Sequence, residues 1–242
     1  MKKAVVAGYI ITLILISMFC SSCKSDNNTQ LFSKNDYFTS KSFPLDLKLE
    51  GLDGTIELLQ DKKLEKLKKY DMPEDGQDYY EKYKSAMLVL KTKQGKIVDS
   101  VETSEFSSLE RTINLEGLNR ATYFLNWHHD VGNPDQTGIG TSLYYVNNGK
   151  LLQVKAKNVS TGEVKNILLA RYLRYDWKIV QNPNSEKKEI WAVYCNLYTG
   201  SKPHLRHYRY YFSGNEWLVK DRDEYKLWNF VDNAFPDDTY FK

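Results

Sequence analysis

Cysteine and proline are scarce in this chain, and a long apolar run occurs only once. The 242 residues include 3 Cys and 6 Pro. Three cysteines close at most one intramolecular bridge, which excludes a disulfide-stapled scaffold, so stability has to come from a packed core. The one long uncharged apolar run, residues 4–19, is shorter than the ~20 residues a comfortable membrane-spanning helix needs. An excess of charge of one sign is lacking too, since 34 Lys plus Arg face 31 Asp plus Glu. Nucleic-acid binding wants a basic stripe, so no nucleic-acid partner is expected. Gly-x-Ser-x-Gly, His-Glu-x-x-His, the phosphate-cradling Gly-x-x-x-x-Gly-Lys and the EF-hand pattern are all missing. No cofactor or metal is implied, and no catalytic residue stands out.

What is present begins with a positive start, Lys2-Lys3, then the apolar run, then Cys20-Ser21-Ser22-Cys23. In that order these features resemble a bacterial lipoprotein signal, over residues 1–23 alone. The resemblance implies a signal peptide of residues 1–22, cleavage before Cys23, and fatty acylation of Cys23. A lipobox usually carries Leu where Cys20 stands, and the alternative is an uncleaved N-terminal anchor helix. Two or more acyl chains hold a protein stably on a membrane, because each buried CH2 contributes about 0.8 kcal/mol. Lys24-Ser25-Asp26-Asn27-Asn28 is similar to the acidic export tag of Bacteroidetes-type surface lipoproteins, with one acid instead of several. That implies an outer-membrane lipid anchor in the cell envelope, on the cell surface or the periplasmic leaflet. Asp99-Ser100-Val101 resembles the short O-glycosylation site of exported proteins of that type. Losing Lys2 and Lys3 with the leader lowers the basic count from 34 to 32 against 31 acids, near +1.

Residues 23–40 are polar and poor in pattern, and read as the lipidated cysteine and a flexible tether. No later stretch looks like a linker, so residues 41–242 are expected to form a single β-rich domain. Three hairpins are expected: residues 86–90 with 97–101, 143–146 with 151–154, and 208–212 with 217–219. Each pair flanks Gly or Asn, which tolerate the positive φ of a tight turn. Residues 45–49 alternate apolar and charged, as a strand with one wet face does. Residues 121–127, 177–180 and 190–195 also read as strands. Asp61 caps a candidate helix over residues 62–70, and residues 107–118 show no hairpin signal. The expected class is mostly β, antiparallel hairpins or a meander with one or two short helices. A small propeller-like repeat is the alternative.

Two clusters are candidate sites. Trp127-His128-His129-Asp130 runs into a Gly-rich loop whose Asn133, Asp135 and Gln136 suit ligand contact. Adjacent histidines on a strand face opposite ways, so a shared metal is not expected there. Leu205 to Phe212 is the densest aromatic patch. Alternation assigns Tyr208, Tyr210 and Phe212 to the core and exposes His207, Arg209 and Tyr211. Arg209 and Tyr211 should then be replaceable at little cost in stability, and Arg and Tyr recur at recognition surfaces. Cys195 reads as a buried inert thiol, with a nucleophile as the alternative. The functional expectation is a non-enzymatic binding module for a protein or glycan. The alternatives are an immunity or inhibitor lipoprotein and an envelope hydrolase.

Overall fold

The computed structural model describes residues 35–65, 83–129, 138–172, 174–181, 187–196, 204–224 and 235, all within one compact unit, Asn35–Lys242. In chain order the elements are β1 (Tyr37–Pro44), α1 (Leu47–Glu50), β2 (Gly54–Asp61), α2 (Lys62–Glu65), β3 (Ala86–Thr92), β4 (Ile97–Thr103), β5 (Ser107–Ile113), β6 (Ala121–His129), β7 (Gly138–Asn147), β8 (Lys150–Gln153), β9 (Lys155–Asn158), β10 (Val164–Asn166), β11 (Leu168–Arg171), β12 (Tyr175–Gln181), β13 (Lys188–Asn196), β14 (His204–Ser213) and β15 (Glu216–Glu224). Sheet one has the order β1-β2-β3-β4. Sheet two runs β11-β7-β6-β5, with β8 beside the other half of β7. Sheet three runs β10-β9-β15-β14-β13-β12. Every pair is antiparallel except β15 with β9. The chain is mostly β, as its pattern implies. It is not a propeller, because the sheets differ in strand number and order and strands pass between them.

The three expected hairpins form where the turn residues allow it. Between β7 and β8 the two-residue turn Asn148-Gly149 has φ of 49° and 70°, which matches the twist of the strands it joins. Two sheet changes then make a corner. β8 continues into β9 at Val154, and β10 into β11 at Ile167. The Val154 N–H donates to Leu143 O (2.8 Å) and the Ile167 N–H to Val154 O (2.9 Å). Both side chains are buried in the core they turn around, as at the corners of packed sheets.

Sheet two is the middle layer. Tyr123 and Leu125 of β6 pack with Ile56, Leu58, Leu88 and Leu90 of sheet one. Phe124, on the other face, packs with Trp177, Ile190, Ala192 and Tyr210 of sheet three. Burial on both faces is why β6 reads as a nearly continuous apolar run. Each fully buried Leu or Ile contributes roughly 1.5–3 kcal/mol, so two such cores hold the domain without a disulfide. Cys195 is a free, buried thiol beside Val193 and Leu205.

Four expectations are corrected. The folded domain begins at Tyr37, not at residue 41, because β1 pairs with β2 from Tyr37↔Asp61 onward. Residues 47–50 form helix α1 rather than a strand. The Asp46 carboxylate accepts from Lys48 and Leu49 N–H groups (2.8 and 3.2 Å), and the Asp46 N–H donates to Glu50 Oε2 (2.6 Å). Residues 107–113 form β5, a polar edge strand held by its backbone ladder to β6. Arg209 is not a freely replaceable surface residue, for the reason given below. Of the helix expected over 62–70, the described part is Lys62–Glu65. No helix among the described residues is long and apolar enough to cross a membrane.

Candidate functional site

A cleft of about 550 Å³ opens where β12, the edge of sheet three, stops short of covering sheet two. That size falls within the roughly 300–1,000 Å³ of small-molecule sites. Its floor is the face of sheet two that Phe124 and Leu143 line further in. Pairing register sets it out in rows. Arg171, Ile139 and His128 lie side by side across β11, β7 and β6. Thr141, Asn126 and Ser108 form the next polar row, and Glu110 follows opposite Phe124. With strands about 4.8 Å apart, His128 and Arg171 stand about 10 Å from one another. Trp177 and Ile179 of β12 form the wall, and Gln60, Phe106 and Trp127 complete the lining.

Asn126 organises the floor. Its Nδ2 donates to Glu110 Oε1 (3.1 Å) and Ser108 Oγ (3.3 Å), and its Oδ1 accepts from Thr141 Oγ1 (2.7 Å). The polar groups are therefore held in fixed orientations before any ligand arrives. The wall is equally set. Trp177 stacks on Phe124 with ring centroids 5.8 Å apart and planes 6° apart. The Arg171 guanidinium carbon lies 4.3 Å from the same indole's centroid. Arg171 Nη2 donates to Trp177 O (3.2 Å), and its Nε is 3.5 Å from Asp176. The Arg171 side chain is 53% exposed. Trp127 lies across Gly140, where an added Cβ would sit 2.4 Å from its ring, so only glycine fits there.

His128 is the expected site residue that this cleft contains. It is exposed, and its ring stands edge-on to Phe106 at 6.2 Å. Asn133, Asp135 and Gln136, and the His129 side chain, lie outside the described residues. Among the described residues no group of three metal-ligating side chains occurs. Arg209 and Tyr211 are both half-buried and do not line the cleft.

Those two lie on the outer face of sheet three, whose inner face carries Tyr210 and Phe212 into the core. Arg209 makes a two-point pair with Glu189, Nε to Oε2 at 2.6 Å and Nη2 to Oε1 at 2.7 Å. The Glu189 side chain is only 4% exposed and also accepts from Trp191 Nε1 (3.0 Å). Hydrogen bonding to Glu189 holds the Arg209 pKa above its ordinary value. His207, expected on the wet side, is buried, with Nε2 3.4 Å from Glu224. Lys178 extends its ammonium over Trp191 (5.4 Å) and Phe235 (4.6 Å) on this face, so its charge lies away from the cleft it borders.

No protein family, curated protein or solved structure matches this chain.

The functional argument therefore rests on the geometry. A second hollow, of about 670 Å³, lies near the sheet-changing corner. Its one buried acid, Glu116, is taken up by Arg120 and by Trp217 Nε1 (2.6 Å), so the base of that hollow is a satisfied structural node. Arg171, Asn126, Ser108 and Glu110 were not singled out by sequence. Arg171 and Trp177 are six residues apart around a tight turn bridged by Tyr172 and Tyr175. No local pattern announces a stack that depends on such a turn.

Proposed function

We propose that this protein is a non-enzymatic binding module, exported and anchored to the outer membrane by lipid on Cys23, which takes a ligand in the cleft between sheets two and three. The observation that carries the binding reading is the floor, where Asn126 fixes Ser108, Glu110 and Thr141 in one hydrogen-bonded array facing an open volume. A preorganised polar floor beside a rigid aromatic wall loses little freedom when a ligand arrives. Among the described residues the lining holds one carboxylate, Glu110. Paired-acid hydrolysis would need a second one facing it, so binding is favoured over the hydrolase alternative.

The anchor reading is supported by the order of features in residues 1–23. Metabolic labelling with a fatty-acid probe tests it: Cys23→Ala should lose the label and Cys20→Ala should keep it. The reverse pattern would overturn the anchor. For the cleft, the full chain in detergent is screened against oligosaccharides and peptides, and every hit is repeated on Asn126→Ala. Hits lost with Asn126 support the reading. Binding indifferent to Asn126, or no hit in either panel, overturns it.

A further inference from the structure

We infer that the cleft takes a carboxylated sugar, a short acidic oligosaccharide whose carboxylate sits on Arg171. The inference rests on the binding reading above and narrows it to a ligand class.

Three observations converge on Arg171. Its guanidinium carbon lies 4.3 Å from the centroid of Trp177, which is itself stacked on Phe124, and Trp177 O and Asp176 hold two of its nitrogens. Its Nη1 has no hydrogen-bond partner among the described residues, while Nη2 uses one N–H on Trp177 O. Half of the side chain is open, and it borders the cleft. A planar, fixed and incompletely satisfied guanidinium is what two-point recognition of a carboxylate requires. The other cation on the lining, Lys178, places its charge over the rings of Trp191 and Phe235 instead.

The rest of the floor selects a sugar. Glu110 Oε2 has no partner among the described residues, and Glu110 Oε1 and Ser108 Oγ each accept only from Asn126. These are acceptors for hydroxyl donors, at fixed positions along a sheet face. Ile139, 41% exposed between Arg171 and His128, supplies apolar surface for the C–H side of a sugar ring. Glu110 lies two rows along and three strands across from Arg171, so a ligand that reaches both places a carboxylate on the arginine and hydroxyls on the acid.

The test uses the full chain in detergent and calorimetric titration with five probes. These are a short oligogalacturonate, the same oligomer reduced at its carboxyls to neutral galactose units, sialyllactose beside lactose, and a Glu-rich peptide. At least one acidic sugar should bind tenfold or more tighter than its neutral counterpart. Arg171→Ala should abolish that preference, and Arg171→Lys, which keeps the charge and the cover over Trp177, should retain only part of it. Unchanged melting of both variants establishes that they fold. Equal binding of acidic and neutral sugars, or a preference that survives in Arg171→Ala, overturns the inference and leaves the binding reading standing. Arg171-dependent binding of the peptide alone does the same. Failure of all five probes overturns the inference, and the binding reading is then judged by the wider Asn126 screen.

Discussion

Two arginines in this domain share a local description and differ in use. Arg209 and Arg171 each lie against an aromatic ring, Tyr211 at 5.5 Å and Trp177 at 4.3 Å, and each has an acid nearby. Arg209 spends its fork on Glu189, a carboxylate so buried that it would otherwise be stranded. Arg171 pairs through Nε with the part-buried Asp176 at 3.5 Å and donates through Nη2 to Trp177 O, and its side chain remains half open. The buried acid takes up both edges of the Arg209 fork, whereas Arg171 keeps Nη1 unbonded among the described residues and beside the cleft. The same reasoning separates Glu116, paired with Arg120 and accepting from Trp217 Nε1, from Glu110, which faces an open volume.

The comparison is broken or sharpened by substitution. The largest effect is expected at Arg209→Ala, which should lower stability by about 3 kcal/mol, because it leaves Glu189 buried without its cation. Denaturant unfolding measures this, and binding by the folded fraction should be unchanged. Gly140→Ala should follow at about 2 kcal/mol, since the new Cβ overlaps the Trp127 ring and forces repacking at the cleft. Tyr123→Phe should cost about 1–2 kcal/mol, because the buried Glu50 loses the Tyr123 O–H that donates to it at 2.8 Å. It lies on the far face of β6 from the cleft floor and should leave binding intact. The smallest stability effect is expected at Arg171→Ala, about 1 kcal/mol, the loss of a half-exposed ring contact, the hydrogen bond to Trp177 O and the Asp176 pair.

Much of the fold was legible and little of the cleft was. The hairpin turns at Asn148-Gly149 and Gly214-Asn215 carry residues that take positive φ, so local chemistry announces them. β6 announces itself by a run of apolar residues that only burial on both faces explains. By contrast, Leu45, Leu47 and Leu49 alternate in a way that one helical turn tolerates equally well. What decides is the Asp46 carboxylate on two backbone N–H groups, an interaction alternation does not encode. β5 has too few apolar residues to signal a strand, because an edge strand can rest on its ladder alone. Arg209 was misjudged because its partner comes from β13, and strand register is invisible before folding. Asn126 and Arg171 were missed for the same reason: their roles exist only once β5, β6, β7, β11 and β12 are assembled. The core assignments of Tyr210 and Phe212 stood, since both are buried, while Tyr208 is half-buried.

Arg171→Ala and Arg209→Ala, measured side by side for both unfolding free energy and affinity toward whichever saccharide the wild-type protein retains, decide between the two faces. The cleft account requires Arg171→Ala to lose affinity at least tenfold with little change in stability, and Arg209→Ala to lose stability with affinity unchanged. Affinity lost with Arg209 and kept with Arg171 would place recognition on the outer face of sheet three and contradict the account.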